Sequence, residues 1–398
     1  MSFLEIATAC GVAEYPPALD AYYPIDASRK RELCSAALID RLQSEMDLFG
    51  AYYPDVIAGF LDLEKDPLRK SCMDAYSLFI KDNDAETARR LRCPERNGSL
   101  GSNMFGLLMH LPAVDATYRH YRQQGFTHEE ASGFFHIYKI FLREVKEFRH
   151  GFVGFTPDIA RWMTYCTKGE MYYPGFGGFY YQAIVLPKDS TPVLLRHRNS
   201  GKILPVYGNG QVIHPSGVPL GSEGATDPAN SFSTSYCETD SAYCGHPVID
   251  CRVTAELETF SKENWELVFS PGVDAISMHV FFEADLSPDA VAASQKAACE
   301  IAGRAFPGKT FQAIYCSSWL LHPAVTEILG ENSRITCFGS RFVKFPAQSG
   351  AQAVFHYAFP GEHPTNEDLP ENSRLQRGLK QRILHGESIN DTSGILLL

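Results

Sequence analysis

His279 stands in the run Ala275-Ile-Ser-Met-His-Val-Phe-Phe282, and Cys316, Ser317 and Ser318 stand in Phe311-Gln-Ala-Ile-Tyr-Cys-Ser-Ser-Trp319. An imidazole titrates near neutral pH and can take a proton there. Hydroxyls donate hydrogen bonds to a carbonyl or a departing atom but are poor acids on their own. Each residue also has a plainer reading: a histidine hydrogen-bonded within a sheet, and serines that cap a strand end. Cys316 with His279 or His356 would make a thiol nucleophile and its base, whereas a cysteine in an apolar strand usually serves as a small buried hydrophobe. Cys237, Cys244, His246 and Cys251 are metal-type ligands, but their spacing fits no paired-ligand knuckle, so no metal is expected. Gly175-Phe-Gly-Gly178 and Gly208-Asn-Gly210 are too short for nucleotide loops and read as turns.

These residues need elements to hold them. Residues 275–282 alternate, with Ile276, Met278 and Val280 on one face and Ser277, His279 and Phe281 on the other, which predicts a strand. Ser287-Pro288-Asp289 predicts the cap of a helix running to about residue 304. Residues 311–319 are apolar on both faces, as in a central strand. Then come a short helix over 322–329 and an antiparallel pair formed by 335–345 and 351–359. Upstream, 179–186 is the first strand, and 199–247, rich in Gly, Ser, Pro, Asn and Asp, reads as a loop-heavy insertion with a brief strand over 203–207.

The part to about residue 168 reads as helical. Leu38, Leu42, Met46 and Phe49 make one stripe within 28–49. Gly125 ends a helix, and Thr127-His-Glu-Glu130 is a capping box opening the next. Its stripe of Phe134, Ile137, Tyr138, Phe141, Val145 and Phe148 spans about four turns. Thr156-Pro157 starts a further helix that includes Trp162. The expected fold class is α+β: a helical domain over 1–168, a mixed α/β domain with a central sheet over 169–360, and a polar tail over 361–398 with Arg374, Arg377, Lys380 and Arg382 as a basic patch.

A chain of 398 residues exceeds one ordinary core. With 36 Lys and Arg against 47 Asp and Glu, the net charge of −11 and the lack of any basic run argue against nucleic acid as a partner. No stretch approaches the roughly 20 apolar residues that cross a bilayer, and Met1-Ser-Phe-Leu-Glu-Ile does not read as a secretory signal, so a cytoplasmic protein with no membrane partner is expected. Eleven cysteines without regular spacing read as thiols in a reducing compartment.

Four segments carry a family resemblance: Leu257-Glu-Thr-Phe-Ser-Lys-Glu-Asn-Trp265-Glu, Pro271-Gly-Val-Asp-Ala-Ile-Ser-Met-His279, Cys316-Ser-Ser-Trp319-Leu-Leu321 and Asn332-Ser-Arg-Ile335. In order and spacing they resemble a bacterial family of two-domain proteins with a helical N-acyltransferase amino-terminal domain and a GNAT-like carboxy-terminal domain. That family's motifs read W-E, P-G-D, H-I-P, C-H-S-W-L-L and S-N-I, with L-G-R-L-Q-F-E upstream at the place of Gly177-Gly-Phe-Tyr-Tyr-Gln182. The resemblance covers about 107–342. The chain departs at Gly178 for arginine, Gln182 for glutamate, Phe281 for proline, Ser317 for histidine and Arg334 for asparagine.

The resemblance implies acyl transfer from a CoA or acyl-carrier-protein thioester to a small amine, with no tightly bound cofactor and with the small-molecule substrate and an acyl carrier protein as partners. Such a reaction needs the amine deprotonated, the carbonyl polarised and the leaving thiol protonated. In GNAT proteins the thioester lies in the splay between two parallel strands, here 275–282 and 311–319. This implies His279 as general base, Ser317 and Ser318 at the carbonyl or thiolate, and Val280, Phe281, Phe282, Ser287 and Cys316 lining the donor site. The alternative is a catalytically silent binding protein on the same fold, which the five departures motivate.

Overall fold

The computed structural model describes residues 2–398 except Ala13, Asn209, Phe282 and Glu362. The chain divides into two compact units, Met1–Gly175 and Phe176–Leu398.

The first unit is built of α1 (Phe3–Ala9), α2 (Ala36–Met46), α3 (Tyr53–Leu63), α4 (Pro67–Asp82), α5 (Ala85–Ala88), α6 (Leu100–Leu108), α7 (Leu111–Gln123), α8 (His128–Gly133), α9 (Ile137–Arg143) and α10 (Pro157–Thr167), followed by the two-residue strand β1 (Met171–Tyr172). The Thr127–Glu130 capping box and the Thr156 cap with Pro157 at the first turn are both present. A Cβ on Gly101 would lie 2.5 Å from Leu63 N, so α3 and α6 pack backbone against backbone.

Two predicted stripes are subdivided. Residues 28–49 split into a 3-10 turn, Ala27–Glu32, and α2, because Ser35 Oγ accepts the Leu38 N–H and starts a new helix. The four-turn stripe splits into α8, α9 and a π turn over Glu144–Arg149. Phe135 and His136 there donate to carbonyls three residues back, which tightens the path.

The second unit holds β2 (Phe179–Val185), β3 (Val193–His197), β4 (Ile203–Tyr207), β5 (Val212–Ile213), β6 (Phe232–Ser233), β7 (Cys237–Glu238), β8 (Ala242–Ile249), β9 (Arg252–Val253), β10 (Glu258–Ser261), β11 (Trp265–Phe269), β12 (Asp274–Val280), α11 (Pro288–Ala305), β13 (Ala313–Ser318), α12 (Pro323–Leu329), α13 (Arg334–Gly339), β14 (Val343–Pro346), α14 (Gln352–Ala358), α15 (Arg374–Leu384) and β15 (Thr392–Leu397). Its first sheet runs β2-β12-β13-β15-β14, with β12 and β13 parallel and the other pairs antiparallel. Its second runs β10-β8-β4-β3-β11 and is antiparallel. Ala275, Ala313, Phe345 and Ile395 of the first sheet share one core with Leu194, Tyr207, Val248 and Phe269 from the second-sheet side. Helix α11 covers the opposite face, where Ser294 Oγ lies 3.0 Å from Tyr181 Oη. The arrangement is α+β, as expected.

Three expectations are corrected. The 199–247 stretch is largely loop and holds the expected strand over 203–207 as β4, but it also supplies most of β8, an inner strand of the second sheet that its composition did not suggest. Gly245 and Pro247 disguise β8, yet a Cβ on Gly245 would lie 2.4 Å from Val206 Cγ1, so the glycine permits close packing. Residues 335–345 and 351–359 do not pair with each other. Ser333 caps α13 through a bond from Thr336 N–H, residues 352–358 form α14, and β14 pairs with β15. The stretch after 360 is not a polar tail, because Leu379 and Ile383 of α15 are buried and β15 is inserted between β13 and β14.

Candidate active site

The parallel pairing of β12 with β13 covers Ala275 with Ala313, Ile276 with Ile314 and Ser277 with Tyr315, and then stops. Beyond that point β12 stays paired with β2 as far as Val280 with Phe179, and β13 stays paired with β15 as far as Ser318 with Thr392. Each strand follows its outer neighbour, so the two part between Met278 and Cys316. Among the described residues no register pair joins the two strands beyond Ser277 and Tyr315.

Alternation from the last matched pair assigns the faces. His279 lies two residues beyond Ser277, and Ser317 two beyond Tyr315, so these side chains share one face on opposite sides of the gap. Met278, Val280, Cys316 and Ser318 belong to the other face, beneath α11. There Gln295 Nε2 reaches Met278 Sδ at 3.7 Å and Arg341 Nη2 donates to Gln295 Oε1 at 2.8 Å, so the chain's own side chains pack against that face.

His279 Nε2 lies 3.2 Å from Gln182 Oε1. An amide oxygen only accepts, so this contact calls for the Nε2–H tautomer and leaves Nδ1 as the basic nitrogen. Burial pushes the imidazole pKa down to about 4, so His279 is neutral at pH 7. Gln182 is one of the departures from the family pattern, and the substitution places a neutral amide where a glutamate would favour the imidazolium.

Ser317 is exposed and ends a line of hydroxyls. Tyr315 Oη lies 2.7 Å from Ser393 Oγ, and Ser393 Oγ donates to Ser317 Oγ at 3.3 Å. Ser317 accepts within this line, so its own hydrogen can be directed outward. Burial pushes the Tyr315 phenol up, keeping it protonated. Ser393 belongs to β15, and sequence reasoning missed it. The only local signal was the apolar end of the chain, without any hint of the strand it pairs with.

The other expected site residues separate. Ser318 Oγ accepts the Leu320 N–H at 3.2 Å and caps the turn after β13, which matches its plainer reading. Cys316 is buried, with its thiol pushed up to about 12 by desolvation, and it lies on the face opposite His279, so the thiol nucleophile with His279 as base is not assembled. Phe281 packs edge-on to Tyr180 with centroids 4.9 Å apart. Val280 is half-buried at the end of β12, and Phe282 lies outside the described residues. Ser287 precedes α11 without a side-chain cap, and its N–H donates to Asp285 Oδ1 at 2.9 Å. That bond, first, holds the Asp285 carboxyl below its usual range, and Arg334 nearby adds to the effect. Gly178 has φ +72, and a Cβ there would lie 2.7 Å from Ala284 Cα. The turn after β12 therefore sits directly on Gly178, where the family's arginine would not fit. Among the described residues, no group of three or more His, Cys, Asp or Glu is placed to hold a metal, and no helix is long and apolar enough to cross a membrane.

Residues 217–396 match the family described as GNAT-like C-terminal domain. No curated protein matches the chain. Among solved structures, an acyltransferase in complex with decanoyl-CoA and teicoplanin is similar over 100% of both chains, with 16% identity and a TM-score of 0.68. An acyltransferase in complex with CoA and 10C-teicoplanin gives 16% identity and 0.67, and one in complex with decanoyl-CoA gives 14% and 0.65, each over 100% of both chains. At these identities the likeness is one of fold: a helical amino-terminal region followed by a GNAT-like carboxy-terminal domain.

Proposed function

We propose that this protein is an acyltransferase that moves an acyl group from a CoA or carrier-protein thioester to a small amine. The observation that carries the reading is the parting of β12 and β13 after Ser277 and Tyr315, with His279 and Ser317 on one face across the gap. Fold relatives crystallised with decanoyl-CoA, with decanoyl-CoA and teicoplanin, and with CoA and 10C-teicoplanin support the donor class.

In this reading the amine nitrogen attacks the thioester carbonyl carbon. The ammonium of the resulting adduct is far more acidic than the free amine, so a weak base suffices, and His279 Nδ1 takes that proton. The C–S bond then breaks. Ser317 Oγ–H protonates the departing sulfur and is refilled from Ser393, which draws on Tyr315; the proton on His279 returns through solvent to the phenol oxygen. Each group ends in its starting state. Because His279 is weakly basic, the acceptor has to arrive as the neutral amine.

The test is a screen of acyl-thioesters against pools of small amines, with released thiol as the readout. Amine-dependent release that is lost in His279→Ala supports the reading. Absence of release from every thioester, with CoA and acyl-CoAs also failing to bind, refutes it in favour of a silent binding protein.

A further inference from the structure

We infer that Cys237 and Cys244 form an oxidation site, a cross-strand dithiol that closes to a disulfide when it meets a small disulfide such as oxidised glutathione. The register of β7 on β8 sets Cys237 directly opposite Cys244, with Glu238 opposite Tyr243. Directly opposed residues of an antiparallel pair have Cα atoms about 4.5 or about 5.5 Å apart, depending on whether they exchange hydrogen bonds. Both separations fall within the roughly 4.4–6.8 Å that a disulfide spans. Opposed side chains also leave the sheet on the same side, so the two thiols face each other.

The site is accessible. Cys237 is exposed and Cys244 half-buried, whereas Cys10, Cys34, Cys72, Cys166 and Cys316 are buried. On its other side Cys244 is opposed by Thr259 of β10, with Sγ 3.5 Å from Thr259 Oγ1, so the three residues make one row across the sheet.

Cys237 is also held in place from both ends. Toward the hairpin tip, Thr239 N–H donates to Ala242 O at 2.8 Å, and Lys262 Nζ lies 2.7 Å from Glu238 Oε1. On the approach to β7, Thr234 Oγ1 donates to Gly208 O at 2.7 Å. A Cβ on Gly208 would lie 2.1 Å from Tyr236 Cβ, so this segment rests directly on the end of β4. A pair fixed in this way closes without backbone rearrangement, and closure would bind the long 208–236 segment covalently to an inner strand of the second sheet.

The chemistry balances as two exchanges. The exposed Cys237 thiolate attacks one sulfur of glutathione disulfide, forming a mixed disulfide and releasing one glutathione thiolate. The Cys244 thiolate then attacks the Cys237 sulfur and releases the second. Two electrons pass from the dithiol to the oxidant, and the two thiol protons end on two glutathione molecules.

The full-length protein is equilibrated over a series of reduced-to-oxidised glutathione ratios, followed by differential alkylation and peptide mass spectrometry. The expected result is that Cys237 and Cys244 leave the thiol pool together, in one two-electron transition reversed by dithiothreitol, as a single crosslinked peptide pair. Cys244→Ser should leave a stable glutathione adduct on Cys237, and Cys237→Ser should slow modification of Cys244 at least tenfold. Independent titration of the two thiols overturns the inference. So does a glutathione adduct on Cys237 of the parent that never resolves, or a crosslink from either residue to another cysteine. The readout does not depend on catalytic activity, so its failure is separable from failure of the acyltransferase reading.

Discussion

Gln182→Glu should move the titration of His279 from strongly acidic pH into the measurable range. In the parent protein burial holds the imidazole at about 4 against an ordinary value of 6.5, and Nε2 lies 3.2 Å from the neutral Gln182 amide. A full charge pair at that separation is worth about 5 kcal/mol at an effective dielectric of about 20 and about 1.3 kcal/mol at that of water. At 1.36 kcal/mol per unit, a carboxylate on residue 182 should raise the His279 pKa by about 1 to 4 units, with about 1 to 3 the usual range for such a neighbour. The linkage has a definite sign. A histidine whose folded pKa lies below 6.5 contributes stability that is fully present above pH 6.5 and is lost as pH falls toward 4, amounting to about 3 kcal/mol for a shift of this size. Gln182→Glu should therefore reduce the acid sensitivity of the fold while placing a new ionisation between pH 5 and 8. NMR titration of the imidazole C–H signals, assigned by their loss in His279→Ala, measures both proteins directly. An inflection near pH 6.5 from His279 in the parent, or an unchanged titration in Gln182→Glu, would show that burial does not set this pKa and would sink the argument.

Three further outcomes are expected. For the acyl transfer proposed above, kcat/KM should rise with pH through the pKa of the acceptor amine, with the limb due to His279 confined to about pH 4, and His279→Ala should lower turnover by about 10² or more with little change in Tm; steady-state profiles with two amines of different pKa check this. Ser317→Ala, Ser393→Ala and Tyr315→Phe should each cost about tenfold in turnover, the worth of one hydrogen bond, and double variants should cost little more than single ones because they interrupt one line. Free CoA should bind no more tightly than about 100 μM, or about −5.5 kcal/mol, by calorimetry. A pyrophosphate seated on the amides at the start of α11 would find the Ser287 N–H already held by Asp285, no donor from Pro288, and the like charges of Glu283, Asp285 and Asp289 close by in sequence.

His279 could be placed on one face of its strand from the sequence because strand alternation is local, whereas its sharing that face with Ser317 rests on the register of β12 on β13. The parting of β12 and β13 could not be placed, since it depends on which outer strands capture each partner. β13 is drawn off by β15, built from Thr392-Ser-Gly-Ile-Leu-Leu397, in which only Thr392 and Ile395 are strongly β-forming and which follows a long polar stretch. Its place in the sheet is a long-range pairing that no window of neighbouring residues records. The same gap in reasoning hid Ser393, and with it the hydroxyl line that ends at Ser317. Residues 334–339 and 352–358 misled for the opposite reason. Each is a short apolar run whose period fits a strand as well as one or two helical turns. Ser333 decides the first by bonding the Thr336 N–H, and burial of Val354 and Ala358 at i and i+4 decides the second. Departures from the family pattern proved more informative than matches, because two of them have physical partners: Gln182 bonds the candidate base, and Gly178 makes room for the turn that follows it. Restoring the family residue therefore perturbs these two positions differently. At 182 it changes a charge beside an imidazole in an intact backbone, whereas at 178 it forces a side chain against Ala284 and displaces the turn, so only the first substitution isolates the chemistry from the fold.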